Sequence, residues 1–283
     1  MPSLGAVVIS RNDNYTGDLP IKFTYCINSL INYFDKVYYI DWNSPDDKSL
    51  LDEVKSGISK TKKLHFIQIT QEMARELTNH DPEVQKCVEV LARNIGIRRL
   101  DTDYIVSTNS DIMCLDRDNI IDGILGERTF HTVARRHIDL SQVIAYPPGS
   151  NELHDYLVTS GIGGQLGAGS PIPGDRWSLI ACPGDFQLAH RDVWYGIKGF
   201  DENLLYRGYG DSNVQRKADY YGYSQALVYN ISAYHFTHYP NTGSTGGGIG
   251  RMNDEGEALM NFQGTKNLDT WGFSDREFDE VII

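Results

Sequence analysis

Apolar runs alternate with helically periodic segments from the first residues of the chain, a pattern that predicts an α/β fold. Leu4 to Ile9 is a continuous apolar run, as a buried strand requires. Phe23 to Phe34 carries apolar residues at helical spacing into a second strand-like run, Lys36 to Ile40. Asp41 to Lys48 is polar with a proline and reads as a loop. Leu50 to Val54 begins another helical stretch, and His65 to Ile69 reads as a third strand. The periodic segment Pro82 to Leu100, without internal glycine until Gly96, predicts a long helix leading straight into a strand, Tyr104 to Ser107. Such alternation implies a central, mostly parallel sheet flanked by helices, whose ligands gather at the carboxyl ends of the strands.

The second half has another texture. Residues 145 to 175 are rich in Gly, Pro and Ser and predict a long surface loop carrying Tyr and Trp. Residues 211 to 222 read as a helix and Ala226 to Tyr229 as a strand, followed by a glycine-rich stretch from His235 to Arg251. There is no internal repeat.

A length of 283 residues suits one large α/β domain, and 40% hydrophobic with 23% charged residues is ordinary globular composition. Asp plus Glu outnumber Lys plus Arg by 38 to 26, so the chain lacks the basic field that draws a polyanion, and nucleic acid is not an expected partner. Small phosphorylated ligands need only local cations, backbone amides or a metal ion. The opening MPSLGAVVISRND lacks the pattern of a signal peptide and no run reaches membrane-spanning length, which predicts a soluble, cytoplasmic chain. Cys26, Cys87, Cys114 and Cys182 are far apart and read as reduced core thiols.

Polar residues at the ends of apolar strands are the first candidates for chemistry. VVISRND and YYIDWNS bring Arg11, Asp13 and Asp41 to one sheet edge, where a carboxylate can accept hydrogen bonds from a base or ribose; a lone Asp after a strand serves as often in a turn. Arg93, within LARNIGIRRL, is placed to meet a phosphate, or as a surface residue to pair with Glu89. Asn109-Ser110-Asp111 follows a strand and offers a hard oxygen ligand to a divalent ion, or a hydrated turn. Asp211 stands between a glycine pair and a helix, a helix-cap position.

In order, ARNIGI, DYIVSTNSD, GDFQLAHRDVW, KGFDE and GYGD followed by YGY resemble the inverting GT-A glycosyltransferases, in particular the large family of cellulose, hyaluronan and chondroitin synthases. The similarity runs from about Val7 to His238. It implies a GT-A (Rossmann-like) fold and a single transferase domain over 1–283, complete or part of a larger protein. In it 1–115 forms the nucleotide-sugar-binding half and 145–251 the acceptor half. It also implies that Asp41 binds the nucleotide, that Arg93 lies near the diphosphate, and that Asn109, Ser110 and Asp111 occupy the DxD position, with Asn replacing the first Asp. His235 or His238 then completes a site for Mn²⁺ or Mg²⁺, imidazole with carboxylate suiting Mn²⁺ better than Ca²⁺.

By the same resemblance Asp211 is the general base, with Gly210 where a Glu usually stands, and Gly184 and Asp185 lie beneath the donor sugar. Trp177 and Trp194 are candidates to stack on a sugar or to fill the core. The stretch 241–251 reads as a lid that delivers Arg251 to the diphosphate, or as a linker. The expected donor is a UDP-hexose, with galactose first, and the acceptor a glycan hydroxyl. A catalytically silent sugar-binding domain and a sugar nucleotidyltransferase are the competing readings; the latter wants a Gly-rich basic loop after the first strand, which residues 10–19 do not supply.

Overall fold

The computed structural model describes residues 1–14, 16–81, 86–160, 184–205, 210–237 and 264–283. The chain opens with β1 (Leu4–Ser10), α1 (Leu19–Tyr33), β2 (Lys36–Trp42), α2 (Leu50–Val54) and β3 (Leu64–Ile69). Then come α3 (Gln71–Thr78), α4 (Glu89–Arg99), β4 (Tyr104–Asn109), β5 (Ile112–Cys114), α5 (Arg117–Asp122), β6 (Thr129–Val133) and β7 (Arg136–Ile138). The remaining elements are α6 (Leu140–Val143), α7 (Asn151–Ser160), β8 (Phe186–His190), α8 (Arg191–Ile197), α9 (Gly210–Tyr220), β9 (Ser224–Val228), β10 (Ala233–Phe236) and β11 (Glu280–Ile282).

An eight-stranded sheet runs in the order β11-β3-β2-β1-β4-β8-β6-β9, and a three-stranded sheet in the order β5-β10-β7. Strands β3, β2, β1 and β4 are parallel, β8 is antiparallel to both β4 and β6, and β9 is parallel to β6. Both faces of the large sheet are covered, which is why its strands read as continuous apolar runs. Leu4, Ala6 and Val8 of β1, with Val37 and Tyr39 of β2, pack with α1 on one face. Val7, Ile9, Tyr38, Ile40 and Trp42 pack with α4 and α8 on the other. Close approach of α4 to β1 depends on Gly96, since a Cβ there would come within 2.5 Å of Val7 Cγ1.

Two elements differ from the sequence expectation. The helix expected over Pro82–Leu100 spans Glu89–Arg99; residues 86–88 precede it without helical structure, and 82–85 lie outside the described residues. The region expected as a loop over 145–175 contains α7, whose Leu153 and Leu157, one turn apart, pack into a small cluster with Tyr25, Tyr234 and Phe236. Of the thiols, Cys26 and Cys114 are buried and reduced, and burial pushes Cys114 up to about 12. No described helix is long and apolar enough to cross a membrane.

Candidate active site

Parallel register aligns the strand ends. Ile9 lies opposite Asn109 and Ser10 opposite Asp41, so β1, β2 and β4 deliver their terminal polar residues to one edge. A cleft of about 240 Å³ opens there, lined by Arg11, Asp13, Cys87, Glu89, Asn109, Ser110, Asp111, Arg135, Asp185 and His235 among others. The structure therefore brings together Arg11, Asp13, Asn109, Ser110, Asp111, Asp185 and His235 of the sequence candidates. Arg11 is held by its Nε donating to the Asn43 carbonyl oxygen at 2.7 Å and by an ion pair with Asp13 at 3.2 Å.

Asp111 occupies the turn in which the chain leaves the large sheet and enters the small one. There β10 pairs with β5, the Phe236 N–H donates to the Asp111 carbonyl oxygen, and His235 Nε2 stands 3.5 Å from Asp111 Oδ2. The His137 ring packs edge-on to that of His235, their centroids 5.1 Å apart. Lys22 of α1 is buried, which lowers its pKa against the opposing pull of the Asp111 carboxylate. Ser110 Oγ is buried in the cleft wall with no hydrogen-bond partner among the described residues.

These donors suit a divalent cation: oxygen and nitrogen ligands meet in a cleft whose lining has four carboxylates (Asp13, Glu89, Asp111, Asp185) and two guanidiniums (Arg11, Arg135). A doubly charged phosphate ligand entering such a lining calls for a compensating cation. Asp111 and His235 are the pair whose donor atoms come nearest one another there; the described residues contain no cluster of three or more His, Cys, Asp or Glu suited to a metal.

On the wall opposite, antiparallel pairing of Thr108 with Phe186 sets Asp185 beside Asn109. Asn109 Nδ2 donates to Asp185 Oδ1 at 2.9 Å, Thr108 Oγ1 donates to the Asp185 carbonyl oxygen at 2.7 Å, and Arg135 ion-pairs with the Asp185 carboxylate. One residue earlier, the Gly184 N–H donates to Asp211 Oδ2 at 2.7 Å, and the Ser212 N–H donates to Asp211 Oδ1 at 2.8 Å. Asp211 thus stands in the first turn of α9, tied to Gly184 but not among the residues that line the cleft, with Gly210 opening the helix.

Three further candidates are buried. Asp41 is wholly buried; Oδ1 accepts from Tyr39 Oη and Ser44 Oγ, and burial raises its pKa to about 6 against those two hydrogen bonds. Arg93 is buried, not on the surface, and lies beside two residues of the cleft lining, Asn109 and Glu89. Its guanidinium donates to Ser107 Oγ, the Thr108 carbonyl oxygen and Asn109 Oδ1, 3.8 Å from Glu89. Trp194 fills the core, the second of its two readings: it packs on Phe130 and Phe200 and donates its indole N–H to the Ile105 carbonyl oxygen. Trp177, His238, Arg251 and the 241–251 segment lie outside the described residues.

Sequence reasoning missed Arg135, Glu89, Cys87 and Lys22. Arg135 had only a weak signal, since the strand it follows, Thr129–Val133, is buried but carries two Thr and a His among its five residues. Lys22 had none, because its neighbours in α1 are apolar and only the tertiary packing brings it within the field of Asp111.

No family model matches the chain, and no curated protein matches it. Among solved structures it resembles S. aureus TarS 1–349 (12% identity over 83% of this chain and 60% of that one, TM-score 0.50). It also resembles mannosyltransferase PcManGT from Pyrobaculum calidifontis in complex with GDP-Man and Mn²⁺ (13% identity, 86% and 58%, TM-score 0.50). A third likeness is to TarS 1–349 in complex with UDP-GlcNAc, at 10% identity over 84% and 59% with TM-score 0.50. The chain spans about 60% of the length of these proteins. At such identities the likeness is one of fold: a large sheet flanked by helices, as the GT-A resemblance implied.

Proposed function

We propose that this protein is a glycosyltransferase that moves a hexose from a UDP-sugar to an acceptor glycan hydroxyl with inversion. The observation that carries this reading is the convergence of Arg11, Asp13, Ser110, Asp111, Asp185 and His235 on one cleft at the carboxyl ends of β1 and β4. That the fold is shared with proteins solved with UDP-GlcNAc or with GDP-Man and Mn²⁺ supports it. Galactose is the first donor sugar to test. In this reading the chain is a GT-A domain acting in the cytoplasm, with 1–115 on the donor side and 145–251 on the acceptor side.

Arg11 and the Ser110 hydroxyl bind the nucleotide diphosphate, and Asp185 accepts from the sugar hydroxyls. Asp111 and His235 would hold a divalent cation, which when bound neutralises charge on the departing diphosphate. The acceptor oxygen attacks the anomeric carbon as its bond to the diphosphate breaks, and the nucleoside diphosphate leaves with the bonding pair. Asp211 takes the acceptor proton and later returns it to solvent; its hydrogen bonds from Gly184 and Ser212 fix the carboxylate's direction. Attack from the face opposite the leaving group inverts the anomeric centre.

The test is a panel of UDP- and GDP-sugars incubated with the protein and Mn²⁺, read by mass spectrometry for released nucleotide and transferred sugar. One UDP-hexose is expected to be consumed, Asp111→Ala to abolish consumption, and Asp211→Asn to abolish transfer. Binding of a nucleotide sugar without turnover identifies a silent sugar-binding domain, and no binding of any nucleotide sugar overturns the reading altogether.

A further inference from the structure

We propose that Asn109 is a positioning residue, an amide bridge between Arg93 and Asp185 that aims Asp185 at the donor sugar, and not a ligand of the cation. Both ends of its side chain are engaged. Oδ1 accepts from Arg93 Nη2 at 2.5 Å, and Nδ2 donates to Asp185 Oδ1 at 2.9 Å. A guanidinium can only donate and an ionised carboxylate can only accept, so the group between them must offer an acceptor on one side and a donor on the other. An amide does this, whereas a carboxylate at position 109 would satisfy Arg93 but set like charges face to face with Asp185.

The oxygen a cation would need is already the acceptor of a guanidinium, whose positive charge opposes a metal at the same atom. Arg93 is itself fixed by Ser107 and Thr108, with its guanidinium over the Phe200 ring at 5.6 Å. A rigid path therefore runs from the core through Asn109 to one oxygen of Asp185, while Arg135 and Thr108 restrain the rest of that residue. The departure from an acidic residue at position 109 is then a change in the polar wall beneath the sugar, and the cation is left to Asp111 and His235.

The bridge itself is tested without any donor, so its failure is separable from failure of the transferase reading on which the sugar role rests. Thermal melts of Asn109→Asp, Asp185→Asn and the double swap form a mutant cycle. Asn109→Asp is expected to melt lower because its carboxylate faces that of Asp185, and to lose most of that penalty in the Asp185→Asn background, where it can accept from both Arg93 and the introduced amide. Calorimetry with Mn²⁺ alone is expected to give Asn109→Ala the affinity of the parent, where loss of a ligand would weaken it about tenfold or more. With nucleotides, Asn109→Ala is expected to bind UDP as the parent does and to lose the extra affinity for the UDP-sugar. An additive cycle, a weakened Mn²⁺ affinity in Asn109→Ala, or equal loss of UDP and UDP-sugar affinity each overturns the proposal.

Discussion

Gly184→Ala probes the link between the cleft wall and Asp211. A Cβ at position 184 would fall well inside contact distance of Asp211 Cβ and within 2.8 Å of Gln187 Nε2. Carbon atoms settle at about 3.5–4.0 Å, so the strand entrance and the first turn of α9 have to separate. Separation breaks the 2.7 Å hydrogen bond from the Gly184 N–H to Asp211 Oδ2. A hydrogen bond to a charged acceptor contributes about 1.5–3 kcal/mol, and forcing an extra carbon into a packed site costs about 1–3 kcal/mol. Local yielding absorbs part of this, leaving an expected loss of about 2–4 kcal/mol in urea unfolding. Turnover is expected to fall on the order of 100-fold, since a misplacement of about 1 Å is enough for that. Arg11 and Ser110, assigned to the diphosphate, do not touch position 184, so affinity for UDP itself is expected to hold while kcat falls. A variant with the parent's urea midpoint and the parent's kcat would refute the contact and, with it, the positioning of Asp211.

Asp41→Asn keeps a side-chain oxygen for Tyr39 and Ser44 while removing a wholly buried charge. The folded pKa of Asp41 is raised from 3.8 to about 6, so its contribution is fully present below pH 3.8 and is lost as the pH rises through 6. The variant should therefore match the parent near pH 4 and exceed it by up to about 3 kcal/mol near pH 7.5 in urea titrations; equal stability at both pH values counts against the buried charge. Trp194→Ala is expected to cost about 3–5 kcal/mol as a core truncation, with donor and acceptor KM retained in the folded fraction; a selective rise in KM would return Trp194 to the sugar site. Chelation should weaken UDP binding about 5- to 150-fold, with UDP tightening Mn²⁺ by the same factor, and calorimetry showing UDP indifferent to EDTA would remove the cation from the site.

What could be read from the sequence was what local periodicity encodes. Strands β1, β2 and β4 are buried on both faces, so each stands out as an apolar run, and the polar residue ending each run marked the functional edge. Asp111 was legible for that reason, whereas Asp185, which precedes β8, came only from the family resemblance. For Trp194 and Arg93 the sequence left two readings open each, because residue type says nothing about which way a side chain faces; the indole and the guanidinium both found partners in the strands beneath them. Strand β11 went unseen because three exposed residues carry no periodicity, and it exists by pairing with β3 and by the Glu280 carboxylate meeting His65 and Tyr38. Helix α7 was hidden by the glycine and proline around it, since its core-facing side is short, with Leu153 and Leu157 buried and Tyr156 packed beside them.

The geometry of the polar site is set by apolar residues outside it. Tyr234 and Phe236 of β10 both point into the small cluster with Met113, Ile138, Leu153 and Leu157, and His235 between them faces the other way. Because side chains alternate along a strand, burying those two aromatics determines that His235 faces Asp111 across the β5 pairing. A one-residue slip would place an aromatic ring beside Asp111 and the imidazole in the apolar cluster, and both changes are unfavourable. The same logic holds on the opposite wall, where Phe186 and Leu188 of β8 anchor in the core and so fix Asp185 beside Asn109. The cleft is thus held in register from two sides by hydrophobic alternation, and its charged groups need supply only the last fraction of their own alignment through hydrogen bonds.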